Sequence, residues 1–422
     1  MIFNFGKTKA LQQEVADLKE QINNLIPSSD LSPDSSVWKS LVSSEGLSGV
    51  AVTEKTAMAI SAVYACVGLI AGAISSLPLP VYRRTAEGRS RVEDYYLHPL
   101  LNDQAHAIWS SPVFWEYLVT ALLLKGDGLA EIQRGSGYSP TITGFRPMNP
   151  DAVEVKSDGM QLWYIEWGGD GGARVIHQDD VLHIPGLGFN GLRGMSQIKF
   201  AARNSIGTAI SAETYSGAFF KNGAKPDFAL SSEQNITQEQ ADVLRNTWYD
   251  RYQGASKAHL PAVLAGGLKV EQLTMTAEDA QLIDTRKFQV EDIARFFGVP
   301  PHMIGHTESS TSWGSGVEQM SIGFVKYTLG RHLKKIEKEV QRKCFTAPGE
   351  RNYFCEFNVA GLERGDIKTR NEAYRIALGR AGEPGWMTVN EVRRKENLPP
   401  DSDGDKLNIG DSGDAPDDET TD

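Results

Sequence analysis

At 422 residues the chain has room for two to four domains and an ample core. Its apolar content of 40% and charged content of 23% fit a soluble protein, and a net charge of −11 excludes the bulk positive field of a tight nucleic-acid binder. Most of that charge is local: residues 401–422 hold nine acids and one lysine, which leaves the body nearly neutral.

Residues 9–26 form a short helix candidate, with Leu11, Val15, Leu18, Ile22 and Leu25 at heptad-like spacing. It is too short for a coiled coil by itself. Residues 27–49 are Ser-, Asp- and Gly-rich and suit a linker or extended arm. Between Lys55 and Arg83 stand 27 uncharged residues. Ala and Ser dominate them and Pro78 and Pro80 end them, so the expectation is a core helix over 57–76 and an edge strand over 80–84 rather than a membrane span. A second core helix is expected over 112–125, with Ser110 and Ser111 as cap candidates. Short strands are expected at 129–134, 142–146, 152–156, 161–167, 175–177 and 181–184, punctuated by Gly, Pro, Asn and Asp. Two helices over such a sheet make an α+β domain.

Gly186, Gly188 and Gly191 match G-x-G-x-x-G between a strand and a helix, which raises the alternative of a nucleotide-binding enzyme. The pattern lacks the second parallel strand, and Glu213, the acid at the required distance, falls inside the following helix. That helix, 196–222, is rich in small residues and permits close neighbours, in its own chain or in another copy. A strand at 228–230, a helix at 237–252 and a hairpin of 262–264 with 268–275 make a small module inserted before the next helix.

That helix, 277–299, has an apolar stripe of Leu282, Ile283, Phe288, Val290, Ile293, Phe296 and Phe297. Gly298, Pro300 and Pro301 stop it. A small, hydroxyl-rich loop follows to Gly316, with one carboxylate and no Lys or Arg. A loop this long between two strong helices is functional or disordered. The next helix, 317–345, places Val317, Met320, Phe324, Tyr327, Leu333, Ile336 and Val340 on one stripe. Its basic run of Arg331, Lys334, Lys335, Lys338, Arg342 and Lys343 suits a solvated face. A strand at 353–359, a helix at 366–380 capped by Asp366, and a helix at 388–396 with Thr388 and Glu391 in capping-box register complete the fold. The acidic remainder is expected to be disordered.

There is no P-loop, HExxH, GxSxG or paired-cysteine pattern, so neither a cofactor nor a metal is expected. His302 and His306 are four apart, but Gly305 lies between them, so no helix holds them on one face. Cys66, Cys344 and Cys355 have neither metal-ligand nor disulfide spacing, which points to synthesis in a reducing compartment. No apolar core follows the N-terminal lysines, so no signal peptide is expected.

Five collinear fragments over about residues 50–400 resemble the portal proteins of tailed bacteriophages, in the compact Hong Kong-type family of long-tailed phages. They are AMAISAVYACVGLIAGAISSLPLPVYRR (57–84), HPLL (98–101), FWEYLVTALLLKGDGLAEI (114–132), DVLHIPGLGFNGLRGMS (180–196), and DIARFFGVPPHMIG (292–305) followed by WGSGVEQM (313–320). The resemblance implies a non-enzymatic ring, usually of about twelve copies with closed symmetry, at one capsid vertex of the virion. It would conduct double-stranded DNA and contact the major capsid protein, the terminase large subunit and later the head–tail connector.

It also implies a division of the chain. Residues 1–50 are the arm and 51–195 the wing. Stem helices fall at 196–225 and 276–299, with Ala201, Ala202, Ala209 and Ala212 packing between subunits. The clip is 226–275, with Asp227, Arg251, Lys257, His259 and Lys269 for docking. The tunnel loop is 300–316, with His302, His306, Ser309, Ser310, Thr311, Ser312 and Trp313. Residues 317–360 hold a helix kinked at Gly323 and Gly330 and a wing strand; 361–400 are the crown and 401–422 the tail.

Overall fold

The computed structural model describes residues 48–135, 141–169, 171–221, 228–232, 237–239, 242–243, 246, 268–272, 277–307, 315–363, 367–379, 383–396 and 398–409. The N-terminal helix candidate and the end of the acidic tail lie outside them.

The uncharged run folds as two helices, α1 (Glu54–Met58) and α2 (Ser61–Ser76). The single expected helix is interrupted because Ile60 is extended. The hydroxyl of Thr53 accepts the Thr56 N–H to open α1. Val63, Cys66, Val67, Ile70 and Ile74 of α2 are buried against α4 (Ser111–Lys125), on which Phe114, Trp115, Leu118 and Leu122 face the same core. A short α3 (Leu97–Asn102) precedes α4. No helix among the described residues is long and apolar enough to cross a membrane.

One three-stranded antiparallel sheet packs on these helices, and a second packs on the first. The first has the order β4-β3-β8, from β3 (Asp127–Arg134), β4 (Ile142–Met148) and β8 (Val181–Pro185). The second has the order β5-β6-β7, from β5 (Val153–Ser157), β6 (Leu162–Trp167) and β7 (Ala173–His177). Strand alternation divides the first sheet's side chains. Ala130, Ile132, Phe145, Leu182 and Ile184 join the helical core. Leu129, Met148 and Val181 join Val153, Val155, Tyr164 and Ile176 in a smaller core with the second sheet.

A third sheet, β11-β1-β2, joins β1 (Val81–Thr85) and β2 (Gly88–Arg91) to the distant β11 (Tyr353–Cys355). The expected edge strand is therefore central, and β2 is a strand that period-two reasoning missed. The inserted module is closed by antiparallel pairing of β9 (Phe228–Ser232) with β10 (Leu268–Gln272). The expected strand at 262–264 lies outside the described residues.

After a one-turn π-helical entry at Gln197–Ala201 comes α5 (Arg203–Lys221), which packs on α6 (Ala277–Phe297). Helix α7 runs in three pieces, Ser315–Gly323, the π-helical Phe324–Leu329, and Gly330–Cys344. The last elements are α8 (Ala360–Glu363), α9 (Ile367–Ala377) and α10 (Val389–Lys395). Thr388 and Glu391 form the expected capping box on α10.

The acidic tail differs from expectation up to Ile409. The buried Asn390 amide donates to the Asp401 carbonyl and to Asp405 Oδ1, each at 2.9 Å, and the Gly385 N–H donates to the Asn408 carbonyl at 2.7 Å. These bonds fasten the start of the tail to α10, where composition alone pointed to disorder.

Candidate functional site

The break between α6 and α7 is built as a fixed root. Gly298, at φ +71°, ends α6 in the left-handed conformation. The Val299 N–H bonds the Ala294 carbonyl at 2.9 Å and the Gly298 N–H bonds the Arg295 carbonyl at 3.1 Å, the paired closure of a Schellman turn. Val299 is buried, as the hydrophobic contact of that motif requires. Helix α7 then reaches back: the Thr328 hydroxyl donates to the Gly298 carbonyl, and Arg331 Nη2 donates to the Phe297 carbonyl at 3.3 Å.

Residues Pro301–Ile304 make a 3₁₀ turn whose Met303 and Ile304 pack on the main core. His302 and His306 therefore belong to the folded root rather than to a free loop. Half-buried His302 stands in the turn, and His306 Nε2 lies 3.3 Å from Glu291 Oε1 of α6. Ser309, Ser310, Thr311, Ser312 and Trp313 lie outside the described residues.

The two ends of α7 are held differently. In Gly330–Cys344 the side chains of Leu333, Ile336, Val340 and Cys344 are buried. The basic run is a solvated face as expected at Arg331, Lys334, Lys335, Lys338 and Arg342, which are exposed, and several of its cations also bond carbonyls and acids of the chain itself. Lys335 Nζ donates to the Pro185 and Gly186 carbonyls at 2.8 and 3.1 Å, and buried Lys343 donates to the Gln178 carbonyl. Buried Glu337 accepts from the Phe357 N–H at 2.9 Å, and Glu339 accepts from the His183 N–H at 3.3 Å. Burial, then the charges of Arg331 and Lys335, push the His332 pKa down to about 3, so the ring is neutral.

In Ser315–Gly323, by contrast, Gln319, Met320 and Ile322 are exposed. The π-helical piece is the boundary between the two ends. It lies between Gly323 and Gly330, and its wider turn shifts the apolar phase by about one residue. Thr328 and Leu329 are buried there, while Tyr327, expected on the buried stripe, is 72% exposed. The cause of irregularity is thus the π turn more than the glycines, since a Cβ at Gly330 would meet its nearest neighbour at an ordinary 3.6 Å. On α6, Phe288 likewise points outward rather than into the stripe.

Three of the four stem alanines are already covered within the chain: Ala202, Ala209 and Ala212 are buried, and only Ala201 is exposed. The first three are thus corrected to intramolecular packing, because a residue covered by its own fold offers no surface to a neighbour. Of the clip residues, Asp227, Arg251, Lys257 and His259 lie outside the described residues; Lys269 is in β10, paired with Ser231.

The glycine motif is a backbone knot. The Gly186 N–H donates to the Gly126 carbonyl at 2.7 Å, and a Cβ at Gly194 would stand 2.2 Å from that same carbonyl oxygen. At Gly188 a Cβ would collide with the Met195 side chain. Among the described residues the next strand after β8, β9, pairs with β10 and not beside β8, so no dinucleotide crossover is formed and the glycines serve close packing.

Beside the knot is a buried polar network that sequence reasoning missed. Asp127 is fully buried. Its Oδ1 accepts from His183 Nε2 at 2.9 Å and from the Gly194 N–H at 2.7 Å, and its Oδ2 accepts from Arg193 Nε at 2.5 Å. The Tyr164 hydroxyl bonds His183 Nδ1 at 2.8 Å. Burial pushes the Asp127 carboxyl up, but His183, Arg193 and the Gly194 N–H outweigh it and hold the pKa below the usual carboxylate range. The network fixes the 186–196 segment on which Lys335 of α7 is anchored. Its only sequence signal was a charged residue in KGDG, which looks like a turn.

The comparisons with known proteins follow the same collinear order. The family model described as phage portal protein matches residues 61–397. The chain belongs to the phage portal protein family. It is 33% identical over 368 residues to the portal protein of Enterobacteria phage HK97, covering 86% of this chain and 85% of that one. To the probable portal protein of Streptomyces phage phiC31 it is 33% identical over 385 residues, covering 87% and 82%. Among solved structures, a chain from the neck of a native gene transfer agent particle, computed with C12 symmetry, aligns at TM-score 0.61 and 21% identity, covering 82% of this chain and 92% of that one. That likeness supports the portal fold read from the sequence.

Proposed function

We propose that copies of this chain close into a ring, with about twelve as the expected number, at one vertex of a phage capsid. The ring conducts double-stranded DNA during packaging and ejection. The observation that carries this reading is the family match through residues 61–397, with the α6–loop–α7 unit inside it. The ring, its DNA, the major capsid protein, the terminase large subunit and the head–tail connector are the partners this reading supplies. No catalytic step is assigned to the chain.

Physical chemistry then gives the 308–314 segment its task. Duplex DNA carries one negative charge per about 1.7 Å of axis, so a lysine-lined constriction would grip it. A segment with Ser309, Ser310, Thr311 and Ser312 and no Lys or Arg offers weak, exchangeable phosphate contacts. Its root must stay fixed while DNA passes, and the Schellman turn, Thr328 and Arg331 supply that fixture. The 226–275 module takes the motor, with Arg251, Lys257 and Lys269 among the docking charges. Of the stem alanines, Ala201 remains available to a neighbour.

Deleting residues 307–314 tests this reading. Rings with a central hole should still form in negative-stain images, while DNA packaging or retention falls. Normal filling of capsids by that variant would sink the loop's role, and failure of the native chain to form rings would sink the reading as a whole.

A further inference from the structure

The solvent face of the β11-β1-β2 sheet carries a charge pattern that the channel does not use. Strand alternation sends Val81 and Cys355 into the core and places Tyr82, Arg84 and Phe354 on the opposite face. In register, Arg91 stands opposite Tyr82 and Arg89 opposite Arg84, so three arginines share that face. The Tyr82 and Phe354 rings stack with centroids 5.5 Å apart. Arg84 lies over Phe354 at 5.3 Å and Arg89 over Tyr82 at 4.8 Å. Cation–π contact of this kind holds a long side chain in place while its charge stays in water.

The acids nearby leave that charge available. Glu356 is shared between Arg89 and Lys334, and Glu93 pairs with Arg91 at 3.0 Å. Arg89 and Arg91 are about half exposed in these pairs, where exchange with another anion costs little, whereas Lys334 is held at 2.8 Å by the buried Glu337 and adds no free charge. Arg84 faces no carboxylate among the described residues.

We propose that this face binds the phosphate backbone of double-stranded DNA outside the channel. The aromatic pair favours backbone over bases, because each ring is covered by the other and by an arginine, leaving no open face for base stacking. The guanidinium groups supply planar, forked donors suited to phosphate oxygens. Arg89 and Arg91, two residues apart on β2, stand about 7 Å apart along an extended strand. That is about twice the 3.4 Å rise per nucleotide of one DNA strand. The nearly neutral charge of the body hides this local patch.

Covalently closed circular DNA tests the surface, because it cannot thread a preformed ring. The assembled protein should retain a closed plasmid at about 50 mM salt and release it as salt rises. The R84A/R89A/R91A variant should retain it at least tenfold less, with the slope of log affinity against log salt reduced by about 2.7, or 0.9 per phosphate contact. A R84K/R89K/R91K variant should keep most of the slope, and R84A alone, which breaks no ion pair, should lose about one third of the triple variant's change. Ring formation by each variant, checked in negative stain, separates lost binding from lost fold. Plasmid retention by the alanine variant equal to that of the native protein would overturn the proposal. So would arginine-dependent retention of poly-glutamate with none of the plasmid, which would assign the face to an acidic protein. Threading of linear duplex is read separately, so this surface and the channel can fail independently.

Discussion

The two ends of α7 belong to one helix yet are held in opposite ways. Gly330–Cys344 sinks Leu333, Ile336 and Val340 into the core and ties its lysines and glutamates to three other parts of the chain. Ser315–Gly323 leaves Met320 and Ile322 in the open and is followed by a π-helical piece. On the proposed reading, this contrast would let the subunit present the 308–314 segment to DNA while the load stays out of its fold. The root and the rear half are rigid, and compliance is confined to the few turns nearest the loop.

The largest expected effect lies under the rigid half. Asp127→Ala leaves Arg193 and His183 without their buried partner and should cost about 3–5 kcal/mol in chemical denaturation. A loss under 1 kcal/mol would show that the network does not hold the 186–196 segment. Ile336→Ala, at a fully buried position, should cost about 2–5 kcal/mol, whereas Met320→Ala should stay within about 0.5 kcal/mol. Equal costs would erase the contrast between the two ends.

The His332 ring gives the rigid half a pH signature. Its folded pKa is about 3 against an ordinary 6.5, so below pH 6.5 the unfolded chain binds a proton that the folded chain does not. Stability from this group is full above about pH 6.5 and falls by up to about 1.4 kcal/mol per pH unit as pH drops toward 3. His332→Gln should flatten that part of the stability profile; an unchanged profile would mean the ring is not held neutral. The smallest effect belongs to the root. Thr328→Val removes one hydrogen bond to Gly298 and should cost about 1 kcal/mol, while loosening the 298–307 turn in hydrogen exchange. No change in exchange there would detach the π-helical piece from the root.

Much of this fold was legible because burial writes itself into periodicity. The Ala- and Ser-rich uncharged 56–82 run favoured a core helix over a membrane span, and the stop at Gly298 and Pro300 marked the root. Other features were hidden for identifiable reasons. Strand β2 is Gly-Arg-Ser-Arg, with no apolar alternation, because its outward face is built of arginines. The π-helical piece breaks the 3.6-residue phase on which stripe counting depends, so Tyr327 was assigned to the wrong face. The Asp127 network joins residues 56 and 66 positions apart, which no local pattern encodes. The small-residue face of α5 was visible, but whether its own chain or a neighbour covers it depends on tertiary packing.

The central claim is that residues 308–314 line the narrowest point of a shared channel. The three native cysteines are buried, and burial pushes the Cys66 thiol up to about 12 and raises the Cys344 and Cys355 thiols well above the usual range, so a thiol placed at Ser310→Cys can be labelled selectively. Cryo-electron microscopy of the assembled, maleimide–gold-labelled variant is the direct measurement. Gold density gathered around the axis of a closed ring is the predicted result. Gold on the outer rim, or labelled protein that forms no ring where the unlabelled protein does not either, would contradict the account.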